Sequence, residues 1–268
     1  MKLGVLLLAS ISYQETVRLW RTQHETKISS ETGWLSYAGL FWLKDGENRA
    51  GSDPGCDIVL PKGAPEYAGS FLFHAGLTQF RNAAGVVRDV KSDVPGPLDL
   101  IEIAGVKMHV VKRGERFGVR LRDPNSEYRR NFKGLKWYPI KESYRVTAKF
   151  ISYAQPKKVR VTNILGDVDE ETSPGYAVFE LLGKKMELGP VREDDQLFYT
   201  FKDLTSGKTT YPAVRFLYSD LPKNGQVVLD FNLAHNPACA FTAFATCPLP
   251  PRKNHLPVAI EAGEIYTK

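Results

Sequence analysis

A mainly β architecture is what the sequence predicts, and three observations predict it. Short runs rich in Val, Ile, Phe and Tyr recur along most of the chain, each bounded by Gly, Pro or Asn. Asp-Gly, Lys-Asn-Gly and Gly-Lys pairs stand between them as turn chemistry. Strand runs do not alternate with long helical ones, which argues against a parallel-sheet or dinucleotide-binding enzyme. The expected whole is a β-sandwich followed by an antiparallel β meander, with one helix in front.

That helix is expected over Ser12 to Ser29, where Val17, Trp20, His24 and Ile28 fall among polar residues with neither Pro nor Gly. Ser12-Tyr-Gln-Glu15 reads as a capping box at its start. Residues 1–12, with the apolar run from Leu3 to Ala9, read as a tail or the remnant of a secretory signal, shorter than such signals usually are. An intracellular protein is therefore expected ahead of an exported one. No apolar run reaches the length of a membrane span.

WLSYAGLFWL follows as an apolar stretch, and KDGENRAGSDPG after it reads as turns. CDIVLP, GSFLFHAG, GVVRDVKS, LIEIAG, VKMHVVKRG and RFGVRLRDP read as strands. In the second half YRVTAKFISYA and KKVRVTNILG read as two alternating strands. GYAVFELLGKKMELGPV and QLFYTFKDLTSGKTTYPAVRFLYSD each read as a pair, and QVVLDFNLA as one more. A boundary is expected between residues 13–139 and 140–268, because a basic region ends at Pro139 to Ser143 and the meander begins there.

With 43% apolar and 25% charged residues the chain has the composition of a folded domain, not of a disordered one. Three cysteines are too few for a disulfide-built scaffold and leave one thiol over. The net charge of +6 is concentrated between Lys107 and Lys136, where ten Lys and Arg face Glu115, Asp123 and Glu127. That strip, with Arg120 and Arg122 in it, could draw a small anion or an acidic peptide by its field; the plain alternative is a solvated face. It carries no nucleic-acid module, so nucleic acid is not an expected partner.

GENRAGSDPGCDIVLPKGAPEYAGSFLF resembles the opening strands of a forkhead-associated β-sandwich, with Gly51 at the family's glycine and Asp57-Ile58-Val59-Leu60 on its strand. The resemblance implies the sandwich. The phosphothreonine readers do not carry over, since Ser52 stands at the arginine position and Pro65 to Gly69 replace the Ser-Arg-x-His element. Most of residues 16–266 is also similar to a microbial family known as a domain of unknown function. GWLSYAGLFWLKDGENRAGSD, GVRLRDPNSEYRRNF, FKDLTSGKTTYPAVRFLY and the tail Asp230 to Glu264 carry that likeness, which implies no activity.

The tail holds two cysteines, two histidines and five prolines, and four chemistries compete for it. His235, Cys239, Cys247 and His255 are zinc-type ligands, though without the short knuckle spacing. Cys239 and Cys247 could close a disulfide in an oxidising compartment, or sit reduced as small buried thiols. Cys239 with His235 as base and Asp230 or Asn232 as orienting group could form a nucleophilic site, with Glu261 and Glu264 as nearby acids. No nucleophile elbow, phosphate loop or His-Glu-x-x-His is present.

Asn232, Asn236 and Asn254 stand where amides bond stray backbone groups, and the prolines suit a segment that caps a sheet. Arg215, flanked by Val214 and Phe216, calls for a carboxylate such as Asp203 or Asp230, or else anchors an anionic ligand. The leading functional expectation is a non-catalytic binding module for a small anionic ligand or acidic peptide. Arg215, Asp203, Asn232, Asn254, Arg120 and Arg122 are its expected contacts, and no cofactor is expected. A hydrolase built on Cys239, His235 and Asp230 is the first alternative, and a structural interaction protein the second.

Overall fold

The computed structural model describes residues 11–94 and 97–267. Most of the expected N-terminal tail, residues 1–10, lies outside them. Strands account for 46% of the residues and helices for 14%, so the chain is mainly β with an N-terminal helix. The helix spans Tyr13–Ser29, and the Ser12 side chain accepts the Glu15 N–H at 3.2 Å, the Ser12-to-Glu15 bond of the expected capping box. Val17, His24 and Ile28 form its buried stripe. Gly33 lets the chain fold back against the helix end, where any Cβ would strike the carbonyls of Lys27 and Ile28.

Two antiparallel-rich sheets follow. One orders strands Tyr37–Trp42, Arg116–Arg122, Val106–Arg113 and Ile101–Ile103. The other orders Ile58–Val59, Gly46–Gly51, Gly69–His74, Leu77–Asn82 and Val87–Asp89. Their inward residues, among them Phe71, Phe80, Met108, Val110 and Leu121, share one core.

GENRAG is a strand, not the turn its composition suggests. Glu47 and Arg49 pair with Leu72 and Ser70 across the sheet, and the Arg49 N–H donates to the Asp57 carboxylate at 3.0 Å. Buried Asn48 bonds both backbone groups of Lys44 through its side chain, so the polar residue is satisfied inside the fold. Cross-strand pairing overrides local turn propensity there.

In the second half one sheet orders Lys184–Leu188, Val168–Leu181, Arg145–Thr162 and Gln226–Asp230, and another orders Val191–Glu193, Gln196–Phe201 and Arg215–Asp220. Phe150, Phe179, Leu188, Tyr199, Phe201, Leu229 and Ile260 pack a second core. The two strands expected over residues 144–166 are one strand of 18 residues. Pro156 interrupts neither, because it sits where the register skips between Ser152 and Lys157 and no ladder donor is required.

Arg145–Thr162 and Val168–Leu181 thus make a long ribbon, and its tip is tied on two sides. Asp167 takes two bonds from Arg116, at 2.6 Å each, and Asp169 accepts the Gly114 N–H at 2.7 Å. The tail pairs with the same tip: Ile164 N–H donates to Cys247 O and Leu249 N–H to Thr162 O. A third apolar cluster, including Tyr37, Phe198, Phe216, Ala245 and Cys247, joins the first strand to the tail.

Candidate functional site

Arg215 is fully buried, and both terminal nitrogens of its guanidinium are occupied while its Nε has no hydrogen-bond partner. One terminal nitrogen donates to Asp203 at 2.7 Å and to the Ile260 carbonyl at 3.0 Å; the other donates to the Ala262 carbonyl. Asp203 in turn takes the Thr205 N–H at 2.6 Å. This is the ion-pair alternative, with Asp203 as partner, and its work is to hold the end of the tail beneath a strand. Both side chains are fully buried.

The two asparagines named with them also serve backbone. Asn232 accepts the Lys141 N–H and donates to Lys141 O, while Asn254 accepts the Gly189 N–H and donates to Gly189 O and Thr200 O. Four arginines of the basic strip are engaged by hydrogen bonds too. Arg120 donates to Phe244 O and Thr246 Oγ1, Arg122 to Thr32 O, Arg113 to Asp93 and Thr246, and Arg116 to Asp167. Arg113, Arg116 and Arg120 thus fasten the tail and the ribbon and Arg122 the loop after the helix, while Arg116, Arg130, Lys133 and Lys136 of the strip remain exposed.

The expected nucleophilic set does not assemble. Asp230 binds the Tyr13 hydroxyl and Asn232, Cys239 faces Cys247, and the His235 ring turns toward the helix. The zinc set fails for the same reason, with His255 exposed on the far side of the tail against Lys202. Among the described residues, no group of three or more His, Cys, Asp or Glu is placed to hold a metal ion.

A different constellation does assemble, where the helix meets the tail. Trp20 and His24 are one helical turn apart, so both project from the same face and stack at 5.1 Å with a 2° interplanar angle. His235 is delivered from the tail by two backbone bonds with Phe216, at 2.9 and 3.0 Å. Its ring lies 4.5 Å from that of His24, and Trp20, Trp34 and Tyr218 stand 5.6 to 6.2 Å from it. Trp137 closes the wall beside His24 at 6.1 Å, under the Arg21 guanidinium.

Glu264 enters beside them. Its backbone pairs with Trp137 and with the Ala234 carbonyl, and its carboxyl accepts the Asn236 N–H at 3.0 Å and the Asn236 amide at 2.8 Å. Gly263 before it has φ +80°, and a Cβ there would collide with the Ala234 carbonyl and crowd the Arg215 guanidinium. Glycine is what lets Glu264 reach its place.

Burial sets the charge of the cluster. It pushes the Glu264 carboxyl up to about 8 and the imidazoles down, His24 to about 2, with His235 and Lys27 adding to the effect, and His235 to about 4. The 3.8 Å approach of His24 Nε2 to Glu264 is consequently a contact between neutral groups at pH 7, not a salt bridge. His235 Nδ1 lies 3.1 Å from Leu233 O, which directs the proton to Nδ1 and leaves Nε2 an acceptor.

Two polar atoms at this place have no hydrogen-bond partner although their residues are over nine-tenths buried: His24 Nε2 and Asn236 Oδ1. Arg21 Nε, on the same wall, is a third. Of the cluster, only Glu264 and His235 stand out in the tail sequence as chemical residues. His24 and the three tryptophans read as one helix stripe and scattered aromatics, and a non-local contact is needed to collect them.

Fold and site together describe a mainly β protein with an aromatic-walled, electroneutral polar cluster at a helix–tail seam. The chain belongs to the protein family of unknown function DUF1684, whose profile matches residues 130–265. A solution NMR structure of an uncharacterised protein from Haloarcula marismortui is 31% identical over 51% of this chain and 78% of that one, with a TM-score of 0.44. No curated protein matches. Among the described residues, no helix is long and apolar enough to cross a membrane.

Proposed function

We propose that the protein is a binding module and that its site is the cluster of His24, His235, Asn236 and Glu264 between the tryptophans. The carrying observation is the concentration of unpartnered buried atoms there: His24 Nε2 and Asn236 Oδ1 flank the same carboxyl. A buried polar atom left unpaired costs about 1–3 kcal/mol, and a ligand that bonds both removes that cost. Half-buried Trp20, Trp34, Trp137 and Tyr218 offer flat apolar faces beside them.

The occupant this geometry suits is a small neutral molecule, flat on one face, with a donor for Asn236 Oδ1 and a complementary polar atom for His24 Nε2. A small anion or acidic peptide fits less well. The imidazoles are neutral, and both terminal nitrogens of Arg21 are engaged by the carbonyls of Tyr138 and Asn232. Titration with a panel of neutral heteroaromatics and matched aromatic carboxylates, followed by tryptophan fluorescence, tests the reading. Saturable quenching by neutral members, lost in His24→Ala, is expected; quenching only by carboxylates, or quenching unchanged in that variant, contradicts it.

Two units over residues 13–139 and 140–268 are part of the same proposal, supported by the separate apolar cores of the two halves. A forkhead-associated kinship of the first unit is proposed for its strands alone. Ser52, at the arginine position, donates its hydroxyl to Ala64 O and supplies no fork for phosphate.

A further inference from the structure

Cys239 and Cys247 stand on the two arms of one tail loop and face each other. The Cys239 N–H donates to Cys247 Sγ at 3.2 Å and the Cys247 N–H to Cys239 Sγ at 3.3 Å, a reciprocal arrangement that sets each sulfur against the other's backbone. Both arms are held from outside the loop. The Tyr211 hydroxyl donates to Cys239 O at 3.1 Å, Arg120 donates to Phe244 O at 3.2 Å, and the ribbon tip bonds Cys247 O at 2.9 Å. The two thiols are unbridged, Cys239 half-buried and Cys247 buried.

We propose that Cys239 and Cys247 form a dithiol that is oxidised to an intramolecular disulfide by exchange with small-molecule disulfides, Cys239 attacking and Cys247 resolving. The half-buried position of Cys239 lets a small reagent reach it, while Cys247 is shielded from all but its neighbour. In the first step Cys239 loses its proton, its thiolate attacks one sulfur of RS–SR, and RS⁻ departs, leaving a mixed disulfide. In the second, Cys247 loses its proton and attacks Cys239 Sγ, and the second RS⁻ departs. The two thiols are oxidised, the reagent is reduced to two thiols, and the two protons end on them.

Electrostatics supports the order of attack. The Cys247 thiol, by hydrogen bonding to Cys239, draws the Cys239 thiol downward, with Arg120 adding a smaller pull in the same direction; Cys247 is driven upward. Cys56 provides an internal control. It lies in the other half of the chain, its thiol 3.7 Å from Glu66 O, and burial raises it.

The test uses the full-length protein, first reduced and desalted, then exposed to glutathione disulfide at neutral pH, quenched with iodoacetamide and mapped by peptide mass. The expected product has lost two hydrogens and carries a Cys239–Cys247 cross-link, formed at least about tenfold faster than any adduct at Cys56. Cys247→Ser is expected to accumulate a glutathione adduct on Cys239, and Cys239→Ser to form neither adduct nor cross-link in the tail. Wild-type protein that keeps three alkylatable thiols while folded overturns the proposal, as does reaction confined to Cys56. Should a serine variant fail to fold, the wild-type time course alone decides, because an adduct on Cys247 preceding the cross-link would reverse the assignment and sink it.

Discussion

The imidazole of His24, in the N-terminal helix, and that of His235, in the C-terminal tail, meet with 4.5 Å between ring centroids. That contact closes the molecule on itself: a helix outside both cores is held to the tail through Trp20, His24 and the carboxyl of Glu264. It also places three groups in one dry environment with their protonation states displaced from those in water, so the pH dependence of stability follows with a definite sign.

Glu264 titrates ordinarily at 4.5 and at about 8 when folded, whereas His24 and His235 fall from 6.5 to about 2 and about 4. Between pH 6.5 and 8 the folded protein holds a proton that the unfolded chain has released, so stability falls as pH rises, by up to about 2 kcal/mol across that span. Between 4.5 and 6.5 the unfolded chain holds two imidazole protons against the one on Glu264, and stability rises with pH. The cluster's contribution therefore peaks near 6.5. Urea midpoints of wild type and Glu264→Gln from pH 5 to 9 are expected to show the alkaline fall in wild type alone; parallel profiles contradict the assignment.

The Arg215–Asp203 pair, both side chains fully buried, predicts an asymmetric response. Arg215→Ala strands the Asp203 carboxylate and the carbonyls of Ile260 and Ala262, and is expected to destabilise by about 3–5 kcal/mol in urea melts. Removing both members in one double variant is expected to cost less than the sum of the single changes. Additive losses would mean that the two groups do not act together.

At the helix start the effect is local. Ser12→Ala removes the acceptor of the Glu15 N–H and is expected to lower stability by about 1 kcal/mol. Amide exchange confined to residues 13–17 should accelerate. Faster exchange across the strands instead would show that the helix and the sheets do not open independently.

The sequence displays the architecture because strand period, turn residues and a capping serine are local signals. Ser12, Pro156 and the Leu182–Gly183 turn act within a few residues of themselves, and only Pro156 misleads, by suggesting a break where a bulge absorbs it. GENRAG misleads in the opposite way, since its partner strand lies beyond the loop that follows. The tail shows how far composition reaches. Asn232 and Asn254 serve backbone as their neighbours suggest and Asn236 turns to the Glu264 carboxyl, but which chemistry the tail's His and Cys residues join depends on Trp20, His24 and Arg120, far away in sequence.

Nitrogen-15 spectra of the histidine rings, recorded from pH 5 to 8 without and with the heteroaromatic that quenches tryptophan fluorescence, test the central claim most directly. His24 and His235 are expected to stay neutral across the range, and the Nε2 signals of both to move together as that compound is added. Either ring titrating near 6.5, or both standing still while the compound binds, would contradict the assignment of this seam as the binding site.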